Sequence, residues 1–506
     1  MRKIFHYILI TILLTFVTSC DQGFDELNIN KVSPTAINPN FLLNNAIINT
    51  SYPNGTLIYD IGIVQQIISP NSGVLTGANY NQDNRNATQE LWQRFYRAVI
   101  RNTRDVIAQT EGDPDLSNLT NMARIWQAFA FMVLTDAYGD IPYSEGGKGY
   151  TEQVTFPQYD AQQAIYADII NELSQATAAL DASKTLATAD IMYGGNIDQW
   201  KKLGYSLLLR AGMRLSKVDA AKAQQTVAAA FQGGLMATNS DNCVVRHDAN
   251  YQNAQGATLN STEANNFYLT EAFVSYLKDN NDPRLAAIAV RYVGATSGPE
   301  QNAARASTDP TVQIGMPMGH DNNTIKGVAT NLGLASFYDF SQVDRTRMTK
   351  NSAPMFLVTY AQTQLLLAEA AQRGWVSGDA AQYYSNGIRA HMEQLSAYGA
   401  SSTVAAGDID AYLTAHPYES ATGLEQINTQ YWVASFLNGP EAFANFRRSG
   451  FPALTPNPFP GKDIQGDFIR RMTYPNSEIS VNSANVQAAI SRMGADNLDT
   501  RVWWDN

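Results

Sequence analysis

From about residue 89 onward the chain repeatedly sets apolar side chains three and four positions apart, and a run of that period can be buried only as one face of a helix. Trp92, Phe95, Tyr96, Val99 and Val106 do so across 89–109, and Met122, Ile125, Trp126, Phe129, Val133 and Leu134 across 119–137. These two segments are expected to pack as an antiparallel pair. Further helices are predicted over 161–180, 198–216 and 219–232, the last stopping at Gly233-Gly234, and over 356–373 and 379–396, joined across Gly374 and Gly378. Pairs linked this closely predict a mostly α fold, a tetratricopeptide-like helix-pair scaffold with little β structure, although no clean 34-residue consensus is present. A two-lobed α/β binding protein is disfavoured, because strands do not alternate with the helices.

The N-terminus adds an address. Arg2 and Lys3 precede an apolar run from Tyr7 to Val17, about half the length a membrane-spanning helix needs. Val17-Thr18-Ser19-Cys20 resembles the lipobox of bacterial lipoproteins, so residues 1–19 read as a signal peptide and Cys20 as the lipidated first residue of the mature chain. Residues 20–40 are polar, carry Pro34 and Pro39, and read as a tether leading to a single domain over 41–506. Cys243 is then left with no partner and is expected to be a small buried hydrophobe. Loss of residues 1–19 leaves 33 basic against 46 acidic side chains, a formal −13, which makes nucleic acid an unfavourable partner.

Two stretches break the helical pattern. Residues 233–266 are rich in Asn, Gly and small polar residues, and 293–335 carry six glycines with almost no helical period. Irregular segments this long inside a folded chain read as ligand-binding loops laid over the scaffold.

No catalytic pattern stands out. The histidines lack zinc spacing, and no GxSxG, GxGxxG or GxxxxGK[ST] motif is present. Asp136 and Asp140 flank Tyr138-Gly139, where a capping and turn role is expected over catalysis. The oxygen-rich run His320-Asp321-Asn322-Asn323 has ligand types that suit calcium, but a solvated turn is the simpler reading, and no cofactor is expected.

Several motifs together carry a family resemblance. Leu134 to Glu145 (LTDAYGDIPYSE), Trp200 to Arg214 (WKKLGYSLLLRAGMR), Asn281-Asp282-Pro283-Arg284, Leu365 to Trp375 (LLLAEAAQRGW), Asn438 to Arg448 (NGPEAFANFRR) and Arg471 to Glu478 (RMTYPNSE) resemble, in this order, the SusD/RagB family of outer-membrane nutrient-binding lipoproteins. Taken residue by residue the blocks read as scaffold. Gly139 ends a helix, Pro142 blocks its continuation, Tyr138 and Tyr143 are packing anchors, Pro283 opens a helix, and Trp375 closes a hairpin. Glu369 and Arg373 form an i,i+4 pair worth about 0.3–0.5 kcal/mol.

The resemblance implies a non-enzymatic capture protein that is lipid-anchored at the outer membrane and exposed on the cell surface. It would bind an oligosaccharide and deliver it to a SusC-like TonB-dependent β-barrel transporter. Oligopeptide capture on the same scaffold is the alternative, and a surface glycoside hydrolase the more distant one. Asp21, Asp25 and Glu26 resemble a surface-export signal, more loosely spaced than usual.

Ligand residues do not carry over by motif, so they are chosen by chemistry. Sugar rings stack on flat aromatics and need amide and carboxylate partners for their hydroxyls. Tyr80, between Asn79 and Asn81, fits best, and Tyr251, Phe267, Tyr268, Tyr292, Phe337 and Tyr338 border the two irregular stretches. Tyr80→Ala is accordingly expected to weaken binding without lowering thermal stability.

Overall fold

The computed structural model describes residues 37–505. Signal residues 1–19, Cys20 and most of the 20–40 tether lie outside the described residues. Helices form where the three-to-four spacing is longest: α1 (Pro39–Asn49), α2 (Arg85–Arg94), α3 (Arg101–Thr110), α4 (Ser117–Tyr138), α5 (Gln162–Ala179), α6 (Ile197–Arg214) and α7 (Ala220–Gly233). After the first loop region come α8 (Glu271–Asp279), α9 (Tyr360–Gln372), α10 (Ala380–Gln394), α11 (Ala406–Ala415), α12 (Gly423–Ala434) and α13 (Gly439–Ser449). From α3 to α7 each helix packs on the next, α9 packs on α10 and α12, and contact between α6 and α9 joins the two series.

Two boundaries differ from expectation. The helix expected over 89–109 is interrupted by a π turn, Phe95–Ile100, between α2 and α3. Its i→i+5 pattern brings Phe95, Val99 and Ile100 onto one buried face, which a continuous α-helix would fan apart. The helix expected from residue 356 begins only at Tyr360. Thr359 accepts from Gln362 N and Gln362 reaches back to Thr359 N, a capping box that fixes the start. The preceding Met355–Val358 is instead a strand.

Strands are short. They are β1 (Ile67–Ile68), β2 (Cys243–Val245), β3 (Tyr268–Leu269), β4 (Ala289–Tyr292), β5 (Ala306–Ser307), β6 (Gln342–Val343) and β7 (Met355–Val358). All pairings between them are antiparallel: β1 with β3, β2 with β7, and a three-stranded sheet in the order β5-β4-β6. The two irregular stretches are therefore not structureless. The first holds β2 and a short helix, Ala254–Leu259, and the second holds β5 and a helix, Thr324–Asn331. Cys243 is buried in β2, and burial raises its thiol well above the usual range.

The centre of the helical body is ionic. Arg214 of α6 bonds Asp136 of α4 (3.1 Å) and Glu441 of α13 (2.7 Å), and Arg210 adds a second contact to Glu441 (3.3 Å). Asp136 also accepts from Tyr166 and from Trp504 Nε1. Glu369 of α9 is held by both terminal nitrogens of Arg448 (2.6 and 2.7 Å). Burial alone would raise Glu369, but Arg448 overrides it and holds the carboxyl at about 2. Glu369 is thus far more than half of an exposed i,i+4 pair, although Arg373 does reach it at 2.8 Å.

Asp136 and Asp140 do not form a carboxylate pair on one site. Asp140 accepts from Gln162 N at the start of α5 and from Arg492 (each 2.9 Å). It caps the helix that follows the turn. Gly139 terminates α4 at φ 83°, and a Cβ there would lie 2.4 Å from the Met493 methyl.

Candidate ligand-binding site

The second irregular stretch and the ends of β3, β4 and β6 make a loop lobe with its own small apolar clusters, one containing Tyr268 and Phe340 and the other Tyr292 and Ala295. A single buried carboxylate pins it. Asp339 Oδ1 accepts from Arg291 Nε (3.0 Å) and Gly294 N (2.9 Å), and Oδ2 accepts from Ala335 N (3.2 Å). Arg291 in turn donates to the Val312 carbonyl (2.6 Å). Three loop segments are tied together this way without any long element.

That arrangement presents Phe337 and Tyr338. Ser336 accepts from Tyr338 N (3.0 Å) and donates to the Ala295 carbonyl (2.7 Å), starting a single 3-10 turn over Phe337–Asp339. The two rings stack with centroids 4.2 Å apart and planes 29° apart, and both are half-buried. Tyr268 supports the pair from below, edge-on to Phe337 at 6.3 Å. Gln301 donates to the Tyr338 carbonyl (2.8 Å) and approaches the Tyr268 hydroxyl (3.4 Å).

Amides gather around Tyr268, behind this platform. Asn71 and Asn266 hydrogen-bond to one another, Asn266 donates to Glu263 (2.7 Å), and the Asn265 carbonyl accepts from the Tyr268 hydroxyl (2.7 Å). Asn265 lies so close to Gly298 that a Cβ there would meet its amide nitrogen at 2.4 Å. The open outer face of the stacked pair, with amides close by in the same lobe, suits a ring with one apolar face and a hydroxyl-bearing edge.

Four of the expected aromatics therefore gather in one lobe, but with different roles. Phe337 and Tyr338 offer surface, whereas Tyr268 and Tyr292 are buried beneath them, Tyr292 under the Arg345 guanidinium at 5.7 Å. Burial raises the Tyr268 phenol and keeps it protonated. Phe267 faces the main core instead, and Tyr251 stands apart, 53% exposed, on a turn where Asp248 accepts its backbone N–H (2.9 Å).

Tyr80 differs most from expectation. It is 2% exposed, its hydroxyl donates to the Pro70 carbonyl, and its ring meets Phe459 edge-on at 4.9 Å, so no stacking surface is available. Burial pushes its phenol up to about 12. Asn79 donates to the Ser69 and His320 carbonyls (2.8 and 2.9 Å) and accepts from Gly319 N (2.9 Å). Asn81, buried at φ 48°, gives its carbonyl to Asp463 N (2.9 Å). The Asn79-Tyr80-Asn81 turn is a buried tie between loops.

The run at His320 is a capping turn. Asp321 accepts from Asn323 N (2.9 Å) and Thr324 N (2.8 Å) at the start of the Thr324–Asn331 helix, bonds that hold its carboxyl below the usual range. Among the described residues no group of three or more His, Cys, Asp or Glu side chains is placed to hold a metal ion. Sequence reading passed over Asn71, Asn265, Asn266, Gln301 and Asp339. The one local signal for them was the Asn265-Asn266 pair directly before Phe267-Tyr268.

A profile of the SusD-like family, described as starch-binding and associating with the outer membrane, matches residues 30–475. The chain belongs to this family. A chitin-binding protein of known structure is 32% identical, superposes with a TM-score of 0.82, and is matched over 92% of this chain and 100% of its own. A Bacteroidetes SusD-like protein is 26% identical with a TM-score of 0.81, covering 93% of this chain and 100% of that one. A chitin-binding SusD homolog from Flavobacterium johnsoniae, 24% identical with a TM-score of 0.74, covers 92% of this chain and 98% of its own and shares the fold. No curated protein sequence matches. The SusD-like scaffold is thus the helical, tetratricopeptide-like one that the helix spacing predicts. No helix among the described residues is long and apolar enough to cross a membrane.

Proposed function

We propose that this SusD-like chain captures a neutral oligosaccharide on the Phe337–Tyr338 platform and hands it, chemically unchanged, to a SusC-like TonB-dependent barrel in the outer membrane. The observation that supports the reading is the stacked, half-buried pair on a lobe pinned by Asp339. The chitin-binding description of the 32% identical relative makes N-acetylglucosamine oligomers the first ligands to try, with glucose oligomers next from the family description. A lipid on Cys20, followed by the 20–40 tether, would hold the domain beside its barrel at the cell surface.

Calorimetric titration with chitotriose and maltotriose tests the reading. Phe337→Ala with Tyr338→Ala is expected to weaken binding about ten-fold, the scale of one or two aromatic contacts, with only a small shift in the melting midpoint. Binding of peptides in place of sugars, or turnover of the sugar by the purified protein, would overturn it. Co-purification with a barrel partner tests the delivery step.

A further inference from the structure

A second cavity, of about 390 Å³, shares no lining residue with the loop lobe. It opens between the C-terminal end of α8, α10 and the turn from α11 into α12. Tyrosines from three helices converge on it: Tyr276 of α8, Tyr384 of α10 and Tyr412 of α11.

The orientation of their hydroxyls is set from behind. Asp282 holds Arg284 (2.8 Å), and Arg284 donates to Gln430 Oε1 (2.7 Å). The Gln430 amide nitrogen therefore faces the other way, where it donates to the hydroxyls of both Tyr276 and Tyr412 (3.0 Å each). Both phenol oxygens accept in these bonds, and the Tyr276 hydroxyl also interacts with that of Tyr412, so one proton of the pair is left to donate into the cavity. Tyr384 is 3% exposed, and its hydroxyl makes no hydrogen bond to any described residue. The oxygen is unpartnered but not among the sealed polar atoms of the described residues, so it is turned to the open cavity, where it can take a ligand.

The remaining walls complement these donors. The His416 imidazole faces Tyr412 at 4.4 Å and is fixed by the Asn280 carbonyl (2.9 Å). Glu419 and Glu425 stand exposed at the rim, and neither is in an ion pair among the described residues. Two O–H donors, Tyr384 and one of the Tyr276–Tyr412 pair, with two carboxylate acceptors and an aromatic wall match a neutral polyol ring. They disfavour an anion, which the rim and the formal charge of −11 repel.

We infer that this cavity is a second saccharide site, with the Tyr384 hydroxyl donating to a hydroxyl or ring oxygen of a neutral sugar. The choice of ligand class rests on the capture reading above, whereas the cavity itself does not involve the lobe. Its volume is at the small end of ligand cavities, about 300–1,000 Å³, and admits a short saccharide. Burial raises the Tyr384 phenol and keeps it a donor at any physiological pH.

Calorimetric titration of wild type, Tyr384→Phe, and the Phe337→Ala/Tyr338→Ala pair with chitotriose and maltotriose separates the two sites. Wild type is expected to show two binding events. Tyr384→Phe should weaken one of them about three- to ten-fold, the scale of a single hydrogen bond, and leave the other event and the melting midpoint unchanged. The weakened event should be the one that survives in the pair variant. If Tyr384→Phe titrates like wild type while the pair loses all heat, the cavity is overturned and the lobe stands. Binding lost in Tyr384→Phe but intact in the pair supports the cavity and overturns the lobe. No heat from wild type with either sugar overturns both, and a fall in the Tyr384→Phe melting midpoint assigns the hydroxyl to packing.

Discussion

The ionic centre of the helical body and the loop lobe both use buried carboxylates, to opposite ends. In the body, Asp136, Glu369 and Glu441 bind arginines across α4, α6, α9 and α13, so each charge links helices far apart in sequence. In the lobe, Asp339 collects backbone N–H groups and one arginine from neighbouring loops and shapes a surface. The first arrangement resists change, because an unpaired buried charge has nowhere to go. The second leaves the residues above it free to differ, since it grips mostly main chain. That contrast accounts for where the recognisable motifs lie: LTDAYGD, LLLRAGMR, LLLAEAA and NGPEAFANFRR each supply a member of the ionic centre, and none supplies the Phe337–Tyr338 platform.

The sharpest way to break the comparison is to remove one charge from the centre. Glu369→Gln leaves Arg448 buried beside Asn428 and Asn445 without its carboxylate and is expected to cost about 3–5 kcal/mol of stability. Chemical denaturation measures this directly. Replacement of the lobe's surface aromatics should move the same midpoint little, and an equal loss from both would end the distinction.

Acid titration probes the same framework, and here two carboxylates oppose each other. Glu369, held at about 2, adds stability above the usual carboxylate range that is lost as pH falls toward 2. Asp60 behaves in reverse. It is fully buried, its Oδ1 has no hydrogen-bond partner among the described residues, and burial pushes it from 3.8 to about 7. Between those values the folded chain holds a proton that the unfolded chain has released, so stability falls as pH rises through the window. The cost at pH 8 is up to about 4 kcal/mol at 1.36 kcal/mol per pH unit. Asp60→Asn is expected to flatten that slope and to raise stability at pH 8, read from denaturation midpoints at pH 5 and pH 8. An unchanged slope would show that Asp60 is ionised in place.

Much of this body was legible because helices announce themselves locally. The Trp92 and Met122 stripes place α2 to α4 within a few residues, and Gly139 ends α4 as its conformation requires. What escaped had a competing local reading or a distant cause. Met355–Val358 continues the apolar run of α9, and its strand partner β2 lies more than a hundred residues earlier. The π turn leaves no mark in the residue types. In the lobe, an aromatic beside an asparagine is equally compatible with a platform and a buried tie, and the difference is made by residues remote in sequence. Tyr338 stays at the surface because Asp339 and Ser336 turn it outward, whereas Tyr80 is covered by Phe459.

Tyr80 supplies the finest test of the boundary between scaffold and site. Its flanking asparagines give it the profile of a ligand aromatic, yet every polar atom of the Asn79-Tyr80 pair that bonds does so inward. Tyr80→Phe keeps the ring against Phe459 and deletes only the bond to the Pro70 carbonyl. The expected result is a loss of about 1 kcal/mol in stability, the net worth of one buried hydrogen bond, with saccharide affinity unchanged. Thermal denaturation and calorimetric titration on the same preparation separate the two quantities. A weakened titration with an unmoved melting midpoint would return Tyr80 to the site and mean that the 69–82 loop opens when sugar binds.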